Sequence, residues 1–218
     1  MQSETANVSC RFRTRRRFCN YKINLKGELM KKTILVITLL SIALLSIGTI
    51  ETDAQMPSSK AQKVFFKKLR KMCGRQFEGA TEFPTNADHA LVGKKLLMKV
   101  ETCTDKEIRI PFQVGEDKSR TWILTLTDEG LLFKHDHRHA DGTPDKITNY
   151  GGFATADGAK LLQKFPADAD TAKLIPEAST NVWTLQIDEE KKRFVYQLER
   201  NRQLRYRGFF NLETAEKK

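Results

Sequence analysis

The sequence predicts a mainly β fold: an antiparallel up-and-down meander of eight or nine strands, closing as a calycin-like barrel, with one N-terminal amphipathic helix and one disulfide. Three observations carry this expectation. From Leu91 onward, apolar residues recur with period two in short runs. Short turn-forming stretches separate the runs, which therefore read as hairpins. Closure into a barrel removes the exposed edges that such a meander would otherwise leave, with a sandwich as the alternative.

The N-terminal region is set aside first. Ile34 to Ile50 is an unbroken uncharged run, with Lys31 and Lys32 before it and Thr52-Asp53-Ala54 after it. A basic start, an apolar centre and a small-x-small exit describe a secretory signal peptide over residues 30–54, cut before Gln55. Met30 reads as the true start. Residues 1–29, with Arg11, Arg13, Arg15, Arg16 and Arg17, read as an upstream over-extension or a disordered basic arm. The domain is thus expected to be exported, to the periplasm or beyond, with membrane contact only through an uncleaved signal segment.

The full chain of 218 residues carries a net charge of +11, but residues 55–218 keep 29 basic and 23 acidic residues, or +6. These charges are interspersed, which excludes a nucleic-acid-binding footprint. Cys73 and Cys103 are the cysteines left in that part. In an oxidising compartment they are expected to pair.

Residues 60–73 read as the helix, with Val64, Phe65, Leu69 and Met72 on one face, a serine start at Ser58 and Ser59, and Gly74 as terminator. Residues 74–90 read as irregular, completing a lead-in over 55–90, and the β domain spans 91–218. Leu96, Met98 and Val100 then alternate, followed by Ile108, Ile110 and Phe112. In the next pair, a two-residue turn at Glu129-Gly130 places Leu126 opposite Phe133, Leu124 opposite His135, Trp122 opposite His137 and Arg120 opposite His139. Two shorter strands, 147–153 and 159–165, precede a helical turn or two in PADADTAKLIP. The last hairpins join Trp183, Leu185 and Ile187 to Phe194, Tyr196 and Leu198, then to Leu204, Tyr206 and Phe210.

One cluster stands out chemically. His135, His137 and His139 lie at i, i+2 and i+4, on one strand face that continues the apolar face of Leu131 and Phe133. In a barrel this face lines the interior near a mouth, where small ligands sit. Arg120 and Trp122 join it as candidate ligand-binding residues. Two imidazoles spaced this way can share a zinc or copper ion, and His135, His137, His139 and Asp141 form the candidate metal set. Packing of the same histidines into the core is the plainer alternative. No catalytic residue is assigned, because GxSxG, HExxH and phosphate-loop patterns are absent.

The strings GEDKSRTW (115–122), LLFKHDHRHADGTPD (131–145), NYGGF (149–153), FPAD (165–168) and NVW (181–183) give the chain a resemblance to a family of exported, largely uncharacterised bacterial proteins, from about Phe65 to Leu212. More loosely, it is similar to the calycin group of small-ligand barrels, although the Gly-x-Trp expected near a first lipocalin strand is missing. These readings give three functional expectations. The first is a cell-envelope barrel protein that binds a small molecule or metal ion. The second is a metal-dependent or histidine-based hydrolytic enzyme. The third is an envelope interaction protein without a pocket.

Overall fold

The computed structural model describes residues 8–13, 16–21, 59–213 and 216–217. The signal segment expected at 30–54 lies outside these residues, as does most of the upstream stretch. Within the latter, β1 (Val8–Arg13) and β2 (Arg16–Tyr21) pair as an antiparallel hairpin. The chain divides at Asp53/Ala54, and the second unit holds everything that follows.

Its first element is α1 (Lys60–Arg70), started by a capping box in which Ser59 and Gln62 satisfy each other's backbone N–H groups. Phe65, Phe66 and Leu69 are buried on one face. Gln62, 3% exposed, also accepts from Leu131 N–H and donates to the carbonyls of Ala154 and Thr155. One side chain thus caps the helix and ties it to two strand ends. Lys68–Glu189 and Arg70–Asp105 ion pairs fasten the same helix to two hairpin turns. All these attachments lie at one end of the sheet, which α1 closes.

The strands are β3 (Arg75–Phe83), β4 (Leu96–Lys99), β5 (Thr102–Cys103), β6 (Glu107–Val114), β7 (Asp117–Leu126), β8 (Leu131–His137), β9 (Tyr150–Phe153), β10 (Leu162–Pro166), β11 (Asn181–Asp188), β12 (Arg193–Arg200), β13 (Gln203–Asn211) and β14 (Glu216–Lys217). Their hydrogen-bonded order is β10-β11-β12-β13-β3-β4-β6-β7-β8-β9, with β5 on β6 and β14 on β3. Every pairing is antiparallel. This is the expected meander bent into a nearly closed barrel, with its ring completed by β13 against β3.

The strand count exceeds the expected eight or nine, chiefly because residues 74–90 are not irregular: β3 occupies nine of them. Only Phe77 in β3 is fully buried, so the strand lacks a clear period-two signature. Gly79 is required there for packing, since a Cβ would stand 2.1 Å from the Phe209 carbonyl oxygen of β13.

The remaining seam lies between β9 and β10. Two backbone bonds cross or flank it, Asp168 N–H to Gly151 O and Thr155 N–H to Lys164 O, both 2.9 Å. Helix α2 (Ala169–Leu174), capped by Asp168, presses buried Thr171 against the seam. The Thr171 hydroxyl accepts from Gly151 N–H and donates to Gly151 O, at 2.7 and 2.9 Å. At Gly152 a Cβ would meet the Pro166 carbonyl oxygen at 1.9 Å. The strings NYGGF and FPAD therefore meet at this junction.

The interior is filled. Trp122, Trp183, Phe65, Phe77, Phe133, Phe165, Phe194 and Phe210 are its largest fully buried side chains. Trp122 on β7 stacks on Tyr196 of β12 at 4.6 Å and 7° between planes. Those strands lie five places apart in a ring of ten, so the opposite walls are within stacking distance.

Cys73 and Cys103 are bonded, joining the segment after α1 to β5 across a sequence separation of 30. The chain-entropy relation for that span gives about 3–4 kcal/mol. Cys73→Ser/Cys103→Ser should lower unfolding stability by that amount in urea titrations. A loss below about 1 kcal/mol would show that α1 holds its place without the bond.

Candidate functional site

The buried Gln163 lies on the inner face toward α1, whereas Arg120, His135, His137 and Tyr150 lie on the inner face toward the end of the barrel opposite α1. Here the β7–β8 register differs from the expected one: Leu126 faces Leu131, Leu124 faces Phe133, Trp122 faces His135 and Arg120 faces His137. The cause is a four-residue connection rather than a two-residue turn. Thr127 N–H bonds Gly130 O, and the Thr127 hydroxyl accepts from Glu129 and Gly130 N–H. Every partner is shifted by two residues, so the faces are preserved while depth changes.

His135 is 3% exposed and fully engaged. Its Nδ1 lies 3.1 Å from the Tyr150 carbonyl, which can only accept, so Nδ1 carries the proton. Its Nε2 therefore accepts from the Tyr196 hydroxyl at 2.9 Å. Burial drives its pKa down to about 3, against the opposing pull of the Tyr150 carbonyl. The ring also stacks on Tyr150 at 4.6 Å and lies 5.1 Å from Trp183. This is the packed histidine of the plainer alternative.

His137 is the accessible member. Its Nε2 lies 3.0 Å from the Tyr150 hydroxyl. Burial first, and the nearby Arg120 cation second, lower its pKa. Tyr150 is pushed up to about 12 by burial, with Arg120 opposing, and it stays protonated at neutral pH. Arg120 is ion-paired with Asp117. Burial of Asp117 works against ionisation, but hydrogen bonds from Ser119 and Arg120 hold it at about 2.

His139 does not join them. Strand β8 ends at His137, and the His139 side chain is exposed on a turn closed by His139 N–H to Thr143 O. Asp141 accepts from the backbone and hydroxyl of Thr143, and Asp145 from Ile147 N–H. Their carboxylates shape the ADGTPD turn. The four-residue metal set is therefore not assembled, and among the described residues no group of three or more His, Cys, Asp or Glu is placed to hold a metal ion. Trp122, at 1% exposure, belongs to the floor beneath the site.

Asp136 projects from the opposite face of β8, as expected from strand alternation. It is nevertheless buried at 4%, accepting from Arg138 and from the Thr148 hydroxyl. That cluster braces the loop over 138–149 and leaves the inner face to His135 and His137.

Three participants were not apparent from the histidine spacing. Tyr150 and Tyr196 complete the hydrogen-bonded chain, and Arg200 ends β12 on its inner face. The signal for Arg200 was its parity with Phe194, Tyr196 and Leu198. A separate depression of about 340 Å³ lies on the outer wall, lined by Leu97, Lys99, Pro111 and Gln113 among others. Its lining holds no histidine and none of the tyrosines with raised pKa values.

Comparison with protein-family models, with curated proteins and with solved structures finds no match to this chain.

Proposed function

We propose that the protein is an exported binding protein that holds a small ligand at the open end of its barrel, above the aromatic floor. The observation that carries this reading is the segregation of the inner face. Stacked aromatics fill the middle layers, whereas Arg120, His137, Tyr150 and Arg200 gather at the end away from α1. A ligand would rest on this layer, not in a deep cavity. Export is supported by the apolar run over 34–50 and the disulfide.

The chain contains two tryptophans, Trp122 and Trp183, and both lie beside His135 or Tyr196. Intrinsic fluorescence is therefore a local reporter. Protein purified from a periplasm should release a small molecule on denaturation, detected by mass spectrometry. Returning that molecule should change the fluorescence and raise the unfolding free energy by about 2.7 kcal/mol at a hundredfold excess over Kd. An empty protein, silent toward a broad metabolite panel, would leave the interaction-protein reading.

A hydrolytic reading rests on one observation: His137 is held neutral and within reach of solvent, with Tyr150 hydrogen-bonded to it. Turnover of a simple ester, abolished in His137→Ala at unchanged fold, would favour it.

A further inference from the structure

The inner end of β12 holds a cation that the histidine cluster does not explain. The β11–β12 ladder runs without a register shift from Asp188↔Arg193 to Asn181↔Arg200. Arg200 therefore shares the inward face of Phe194, Tyr196 and Leu198. Its Nε–H donates to Asn181 Oδ1 at 2.8 Å, and Asn181 is itself only 4% exposed. The next turn is braced by a 2.7 Å bond from the Thr180 hydroxyl to Asn201 Oδ1.

Most other arginines flanking the sheet have a carboxylate. Arg70, Arg109, Arg120, Arg138, Arg193 and Arg207 each lie within 4.0 Å of an acidic side chain. Among the described residues, none supplies Arg200 with an acidic partner or accepts from its terminal nitrogens. A half-buried guanidinium without a counter-charge is costly unless something anionic meets it. It also presents a planar fork matched to an oxyanion. Arg120 stands at the same end on β7, the strand facing β12 across the barrel. Both histidines there are held neutral, and the carboxylates that act on His137 (Asp117, Asp136 and Asp145) stand around it and Arg120, not within ion-pairing distance of Arg200.

We propose that the barrel mouth receives the carboxylate or phosphate group of its ligand, with Arg200, positioned by buried Asn181, as the anchor and Arg120 as the second cation. This rests on the binding reading above and specifies its ligand chemistry. The aromatic rings around Tyr150 and Trp183 would meet the body of the molecule.

The test uses three probes of matched shape: benzoate, phenyl phosphate and benzyl alcohol, titrated into the exported protein with tryptophan fluorescence as readout. At least one anionic probe should bind tenfold or more tightly than benzyl alcohol, and the preferred one distinguishes carboxylate from phosphate. Arg200→Gln should remove that preference, a loss of about tenfold to a hundredfold, while leaving benzyl alcohol affinity unchanged and the far-UV circular dichroism spectrum native. Arg200→Lys keeps the charge but not the fork, and should recover only part. Equal affinity for all three probes, or an unchanged preference in Arg200→Gln, would overturn the anion assignment while leaving a binding site. Binding of none of them overturns the anion assignment, and a null result with the copurified-ligand and metabolite tests as well overturns the binding reading itself.

Discussion

Native stability should fall as pH drops from about 6.5 toward 3, with His135 as the main source of the decline. In the folded protein the ring is buried with both nitrogens committed, and its pKa is depressed to about 3. The unfolded chain regains an ordinary histidine, with a pKa near 6.5. Between those values the unfolded state binds a proton that the native state refuses. The contribution is therefore fully present above pH 6.5 and is lost progressively as pH falls through the window. The slope is about 1.4 kcal/mol per pH unit, so roughly 2–3 kcal/mol is gone by pH 4.5. His137 acts in the same direction through its own lowered pKa. Urea midpoints at pH 7, 6.5, 6, 5.5 and 5 measure this ahead of most carboxylate titration. His135→Gln starts less stable, since a fitted aromatic ring is removed, but its pH slope should be much shallower. An equal slope in variant and parent would show that the acid sensitivity arises elsewhere.

Trp122→Ala should lower unfolding stability by about 3–5 kcal/mol, the range for a large buried aromatic truncated to a methyl. The indole stacks on Phe112 and Tyr196, each at 4.6 Å, and meets Phe210 edge-on at 5.9 Å. It bridges opposite walls, so neighbours on one strand cannot close over the gap. The void should be apolar and dry, and small aromatic hydrocarbons should partly restore stability. This variant also separates two roles for Trp122. A core residue gives the large stability loss described. A residue whose main contacts are with a ligand would give a loss under about 1 kcal/mol together with abolished binding.

The sequence was most informative where a local rule and the global fold agree. Helix α1 was legible from Ser59, from the spacing of Phe65 and Leu69, and from Gly74, which takes positive φ. The hairpins from β6 to β13 were legible from period-two alternation, and the disulfide from the two cysteines. Strand β3 was hidden because most of its inward side is small: Gly79 and Thr81 follow Phe77, so no apolar rhythm appears. The β7–β8 register was misplaced because the Thr127 hydroxyl stabilises a longer connection, a side-chain effect that spacing does not encode. At the site, strand parity correctly put His135 and His137 on the inner face. It failed for His139 because the strand had already ended. Arg200 and Asn181 escaped notice because their pairing depends on a ladder between segments, not on proximity in sequence.

The way the ring is joined has a consequence for how the chain reaches its native state. Its closing pair unites β3 with β13, the first and last long strands, across more than a hundred residues. A chain emerging from its N-terminus can lay down hairpin after hairpin, since apart from β10 at the seam each long strand after β3 pairs with a strand already made. Until β13 arrives, however, β3 keeps one side unpaired, an open template for association with other chains. Contacts this distant in sequence also slow the final step. Premature termination anywhere before Gln203 would therefore leave a sheet with sticky margins. Such products should aggregate or be degraded, even though most of the hydrophobic interior is already encoded in them.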